Sequence, residues 1–241
     1  KLYVAITRNL TIKRLMVLSA SFMFIMLFTT IFLLNVKTLY ATDLSFAILN
    51  SAIPSLILSL ILLAYVRRRV SNDLTHAREY VFRLLLLSSC MAMSFSHGAN
   101  DVANSAGPLA GILYVYSEGR VPPGSVTIPF YAILLSGIGI SIGILTWGYS
   151  IIETIGEKIT VLTIETAFIA QFSGALTTLI VTRLGLPVST TVAIVGAITG
   201  VGLARGVKNV DYRTLFRIIA MWFIGFPVVA GLTALIMYLG R

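Results

Sequence analysis

The chain has little charge, a single cysteine and almost no histidine, and each shortage closes off a class of protein. Only 11% of its residues are Asp, Glu, Lys or Arg, where a soluble domain carries about 25%. A lone cysteine, Cys90, excludes an internal disulfide and any cysteine-rich metal site. It lies in the apolar run LLLLSSCMAMSF and reads as a small buried hydrophobe. The histidines are His76 and His97 alone, too few for a zinc centre, so no transition metal is expected. No Ser–His–Asp or Cys–His set lies close in sequence. No internal repeat is visible, and no leader pattern of charged, apolar and small regions opens the chain.

What is there is apolar side chain. Hydrophobic residues make up 57% of the chain, and the mean hydropathy is +0.94. The runs are too long for strands that alternate between lipid and lumen, so the expected class is an all-α polytopic membrane protein. The net charge is +9. Its bases sit at the ends of apolar runs: Lys13 and Arg14, Arg67 to Arg69, Arg205 and Lys208, Arg213 and Arg217. That is the footprint of cytoplasmic loops beside anionic lipid, and nucleic acid is not an expected partner.

A crossing needs about 20 apolar residues. Residues 15–35 and 44–66 each supply one, the second with Pro54 as a kink. Residues 67–82, RRRVSNDLTHAREYVF, are the most polar stretch and read as a cytoplasmic linker, with His76 solvated in it. Residues 84–116 then hold one charged side chain, Asp101. A straight helix over them would be about 50 Å long, against a hydrocarbon core of roughly 30 Å. Gly98, Gly107, Pro108 and Gly111 fall within. The expectation is a broken helix, with arms on either side of an irregular centre. A loop at 117–127 and a span at 128–152, rich in small residues, follow. Residues 166–182 and 188–203 are short apolar arms around RLGLP, which predicts a re-entrant helical hairpin over 166–203. Residues 215–239 form the last span. The basic loops put 67–83 and 205–217 inside and the C-terminus outside.

The chemistry lies in the two breaks. Of nine acidic residues only Asp101 sits deep in an apolar run. A carboxylate there costs about 2.5–3.5 kcal/mol on insertion scales, which marks a functional group. Asn100 and Asn104 flank it, and carbonyl-rich side chains beside one carboxylate suit a small hard cation such as sodium. His97 stands four residues before Asp101, and an acid–base pair there would be the basis of an intramembrane enzyme. The second break reads GLPVSTTVA. Pro187 pre-sets a helix start, and Ser189, Thr190 and Thr191 stand at its cap and first turn. Free N–H groups and hydroxyls there suit an oxyanion. Gln171, the long polar side chain of the first hairpin arm, either faces the same cavity or bonds between helices. A cation cage and an anion cradle together point to a cation-coupled anion carrier.

GANDVANSAGP at 98–108, GLPVSTTVAIVGAITGVGL at 185–203 and ETIGEKIT at 153–160 resemble the Pit family of sodium- or proton-coupled phosphate symporters. The resemblance covers about 83–241. It implies two inverted-topology halves, each with a broken helix and a hairpin, importing phosphate by alternating access across a cell membrane. It implies Asn100, Asp101, Ser189, Thr190 and Thr191 as phosphate ligands, and Asn100, Asp101, Asn104, Gln171 and Ser189 as sodium ligands. No cofactor is implied beyond sodium as the coupling ion. Val192 stands where the family commonly has a histidine, which favours sodium over protons. Only one signature pair is present. The chain is therefore expected to be the C-terminal half, 83–241 being the second repeat and 1–66 two helices that end the first half or bridge the halves. Its partners would be the N-terminal half, phosphate, sodium and lipid, with a homodimer of half-length chains as the alternative arrangement. A proton-coupled or sulfate carrier and an enzyme using His97 and Asp101 are the rival functions.

Overall fold

The structure is a computed structural model, and it describes residues 11–38, 44–69, 73–184, 186 and 188–240. Among them the regular elements are all helical. They are α1 (Ile12–Thr38), α2 (Leu44–Arg69), α3 (Leu74–Glu118), α4 (Phe130–Glu157), α5 (Ile164–Arg183), α6 (Thr190–Arg205), a short 3-10 turn (Val207–Asn209) and α7 (Tyr212–Leu239). All but α6 among the seven helices are long and apolar enough to cross a membrane.

Helices α1 and α2 pair through a stripe of small side chains. Ala47, Ser51, Ser55 and Ser59 recur every fourth residue of α2, and all are buried. Each serine hydroxyl donates to a carbonyl of its own helix, at 2.8 Å for Ser51 to Ala47, 2.6 Å for Ser55 to Ser51 and 2.9 Å for Ser59 to Leu56. The stripe therefore buries no unmet donor and lets the backbones come close.

Helix α3 is the spine. Asp73 caps its start by accepting from the Thr75 N–H at 2.9 Å. Gly119 ends it at φ 66°, in the left-handed region that favours glycine, with its N–H on the Val115 carbonyl. Its buried positions Ala77, Val81, Leu85, Ser89, Met93, Ser96 and Asn100 form one stripe. Three polar contacts tie α3 to α5 in parallel. Arg78 pairs with Glu165 at 3.1 Å, Gln171 donates to Cys90 at 3.3 Å, and Thr182 donates to Asn100 at 3.3 Å. Between the first two lies an aromatic knot: the Phe168 ring meets Phe22, Phe172 and Phe82 at centroid distances of 5.5, 5.9 and 6.2 Å. Lipid tails are as apolar as these rings, so the knot stabilises by shape and dispersion rather than by escape from water.

Helices α5 and α6 form an antiparallel hairpin. Thr163 and Thr166 make a capping box at its start. The base is stapled: Arg205 donates to the Val161 carbonyl, and the Asp211 N–H donates to Ile159 at 2.9 Å. Gly202 permits that closure, since a Cβ there would lie 2.7 Å from Val210 Cγ2 and 3.2 Å from Thr160 Oγ1. One core cluster joins Leu15, Val66, Ala77 and Phe168. The ends of α1 and α2 that carry Arg14 and Arg67, and the start of α3 with Arg78, therefore gather at the level where the hairpin begins.

Two expectations change. Residues 67–82 are not a separate linker: Arg67–Arg69 finish α2, and Leu74 onward is already α3, with 70–72 outside the described residues. Nor does the centre of 84–116 unwind, because α3 is one helix of 45 residues. Magnitudes explain this. A glycine in a helix costs about 1 kcal/mol, whereas each backbone group left unpaired away from water costs several. A Cβ at Gly98, Gly107 or Gly111 would meet nothing within 4 Å, so no neighbour forces a break there. Pro108 sits inside the helix and gives no N–H to the Asn104 carbonyl.

Candidate functional site: a polar junction at the hairpin apex

Asn100 lies at the midpoint of the apolar stretch 84–116, and it is only 6% exposed. Its amide works in three directions. Nδ2 donates to the Val188 carbonyl at 3.0 Å and to Asp101 Oδ1 at 3.0 Å. Oδ1 accepts from the Thr182 hydroxyl at 3.3 Å. One side chain thus clamps the end of α5 and the approach to α6 onto the middle of α3. The unpaired amide that a membrane would penalise is matched without any unwinding.

Asp101 is half-buried beside it. His97 Nε2 lies 2.8 Å from Asp101 Oδ2, one turn back on the same helix. Asp101 Oδ1 thus accepts from the Asn100 amide, and Oδ2 faces the His97 imidazole. Ser189 caps α6 as its sequence position predicts, and its hydroxyl accepts from the Val192 N–H at 3.4 Å. Thr190 is buried and Thr191 half-buried in the first turn. The positive end of the α6 dipole is linked to the Asp101 carboxylate through Val188 and Asn100, an arrangement that favours negative charge at the junction. Pro187 lies outside the described residues.

The structure brings Asn100, Asp101, His97 and the backbone next to Ser189 into one cluster. It does not bring in the other two predicted residues. Asn104 is exposed, one turn further along α3. Gln171 is half-buried and bonded to Cys90, eleven residues before Thr182 and so about 16 Å away along α5. Cys90 is half-buried rather than a buried hydrophobe. Sequence reading missed Thr182. Its signal is the spacing of Gln171, Ala175, Thr178 and Thr182, which repeats one helix face toward α3.

Chemically, the junction offers a carboxylate, an amide carbonyl, a backbone carbonyl and hydroxyls, which are hard oxygens for a small cation. It sets them against a helix N-terminus suited to an oxyanion. Fold and site together define a polytopic α-helical membrane protein with a polar centre built from helix ends inside its apolar length. The family model described as the phosphate transporter family matches residues 2–233, and the chain belongs to that family.

Its relatives agree. It is 39% identical over 205 residues to a candidate phosphate permease of Pyrococcus horikoshii, an alignment covering 84% of this chain and 50% of that protein. It is 44% identical over 151 residues to inorganic phosphate transporter 2-1, chloroplastic, of Arabidopsis thaliana, covering 62% of this chain and 26% of the relative. A solved structure of a sodium-dependent phosphate transporter superposes with a TM-score of 0.81 at 42% identity, over 93% of this chain and 56% of that one. These relatives are transporters and permeases, not enzymes. The chain spans about half the length of the first curated relatives it matches.

Proposed function

We propose that the protein containing this chain imports inorganic phosphate together with sodium. The observation that carries the reading is the junction itself. A carboxylate in mid-span, already held by Asn100, stands next to the N-terminus of α6. Sodium binds Asp101 and the surrounding oxygens, with Asn100 and Ser189 as its further ligands, while Asn104 and Gln171 lie off the junction and do not belong to the set. It offsets the carboxylate and so raises the affinity of Ser189, Thr190, Thr191 and the first-turn N–H groups for phosphate. Asn100 and Asp101 border both ligands. The stapled base and the mid-span apex support a re-entrant hairpin, whose movement against α3 alternates access. The basic end faces the cytoplasm, which leaves the end of α7 outside. A second, inverted half completes the site, in keeping with relatives about twice as long. The His97–Asp101 contact is the observation that favours a proton over sodium. The test is uptake of labelled phosphate by the full-length protein in liposomes, under an inward sodium gradient and in matched potassium. Uptake is expected only with sodium. Equal uptake in potassium under a proton gradient supports the proton reading, and displacement of phosphate by sulfate overturns the substrate.

A further inference from the structure

One buried hydroxyl has no task in the fold. Thr178 is 0% exposed, and its Oγ1 has no hydrogen-bond partner among the described residues. Buried hydroxyls such as Ser51, Ser55 and Ser96 donate to a carbonyl one turn back in their own helix. A hydroxyl sealed away from water with nothing to bond is a cost the sequence could avoid with valine. Thr160 has the other such hydroxyl, but it lies at the base of the hairpin, against Gly202.

The register places Thr178 at the junction. Gly174 faces α6 so closely that a Cβ there would lie 3.1 Å from Ile194 Cδ1 and 3.6 Å from Ile194 Cα. In an antiparallel pair, four residues toward the apex on each helix bring Thr178 level with Thr190. On the other side, the contacts Gln171–Cys90 and Thr182–Asn100 fix the parallel register with α3. They bring Thr178 level with Ser96 and His97. Ser96 and Thr190 are also buried, at 3% and 4% exposure. Ser96 gives its proton to the Ala92 carbonyl at 2.9 Å, which leaves its oxygen lone pairs for another group. Three helices thus each place a buried hydroxyl at one level, a turn below Asn100.

We propose that Thr178 Oγ1 is a sodium ligand, the floor of the cation site that Asp101 closes from above. This rests on the sodium-coupled reading given above. A hydroxyl offers lone pairs to a dehydrated hard cation, yet it takes up no proton in the physiological range. The floor therefore favours sodium: the cation needs several oxygens around it and gains one here, whereas a proton needs a single basic oxygen, which Asp101 alone supplies.

The test uses the full-length protein in detergent. Its thermal unfolding is followed against sodium chloride, with choline chloride holding ionic strength constant. Thr178→Val exchanges the hydroxyl for a methyl at almost equal volume. It is expected to raise the sodium concentration for half-maximal stabilisation by about tenfold or more, while the sodium-free melting temperature stays level or rises. Thr178→Ser is expected to follow the wild type. Thr178→Ala repeats the readout should the valine variant not be recovered. A valine variant with the wild-type sodium dependence overturns the proposal and leaves sodium coupling standing. A wild type that sodium does not stabilise overturns both.

Discussion

Replacing Asn100 by alanine removes the clamp between α3 and the hairpin apex. The amide is held by Val188 at 3.0 Å, Thr182 at 3.3 Å and Asp101 at 3.0 Å. Interhelical hydrogen bonds in membranes average about 0.6 kcal/mol. A bond to a carboxylate is worth about 1.5–3 kcal/mol, and the low end applies because Asp101 is one-third exposed. The expected loss is about 2–3 kcal/mol, a large share of a typical stability of 5–15. It should be local, because the base of the hairpin keeps its own staples. Amide exchange in detergent is the assay. At about 1.4 kcal/mol per decade, amides of the first turn of α6 should exchange roughly 30- to 140-fold faster, with the Phe168 region unchanged. Asn100→Asp should be worse without sodium, since it sets a second carboxylate against Asp101 and the Val188 carbonyl. Sodium should recover part of that loss by lying between the two carboxylates. An alanine variant within about 0.5 kcal/mol of the wild type, or a loss of protection spread evenly over all helices, would refute the clamp.

Other positions give independent checks. Gly202→Ala pushes a Cβ into Val210 and should destabilise by about 1–3 kcal/mol, read as an earlier unfolding midpoint with the base of the hairpin exchanging first. Phe168→Ala should cost about 2–3 kcal/mol, less than the 3–5 of a water-soluble core, because lipid tails solvate the opened cavity. Asp211 caps α7, and its carboxyl is held below the usual carboxylate range, first by the Thr214 hydroxyl and then by the Thr214 N–H. A depressed folded-state value stabilises above the unfolded value of about 3.9, and that contribution is lost as pH falls through the folded one. The start of α7 should therefore fray in acid, and Asp211→Asn should remove this pH dependence while keeping the cap. Gln171→Leu should loosen α3 from α5 around Cys90 without altering exchange at the apex.

The helical class, the spans and both polar segments were legible because a membrane enforces them. Long apolar runs have no other use, and Asp101 is conspicuous against them. The Ser189 cap was readable from the hydroxyl run before an apolar helix. The continuity of α3 was not, because glycine and proline report local preference. The partners that keep Asn100 satisfied inside a helix are Val188 and Thr182, more than 80 residues away. The supposed linker misled for the opposite reason: charge marks exposure, and an exposed segment can still be helical when Asp73 caps it. Thr178 was invisible in sequence, since a threonine in an apolar helix normally satisfies itself. Only the packing shows that it does not.

The account rests on Asp101 as the cation's anchor at the phosphate cradle. Equilibrium binding of labelled sodium to the full-length protein, with and without phosphate, tests it most directly in Asp101→Asn. The account predicts a folded variant that binds far less sodium and in which phosphate no longer raises sodium binding. Wild-type sodium binding, still enhanced by phosphate, would contradict it.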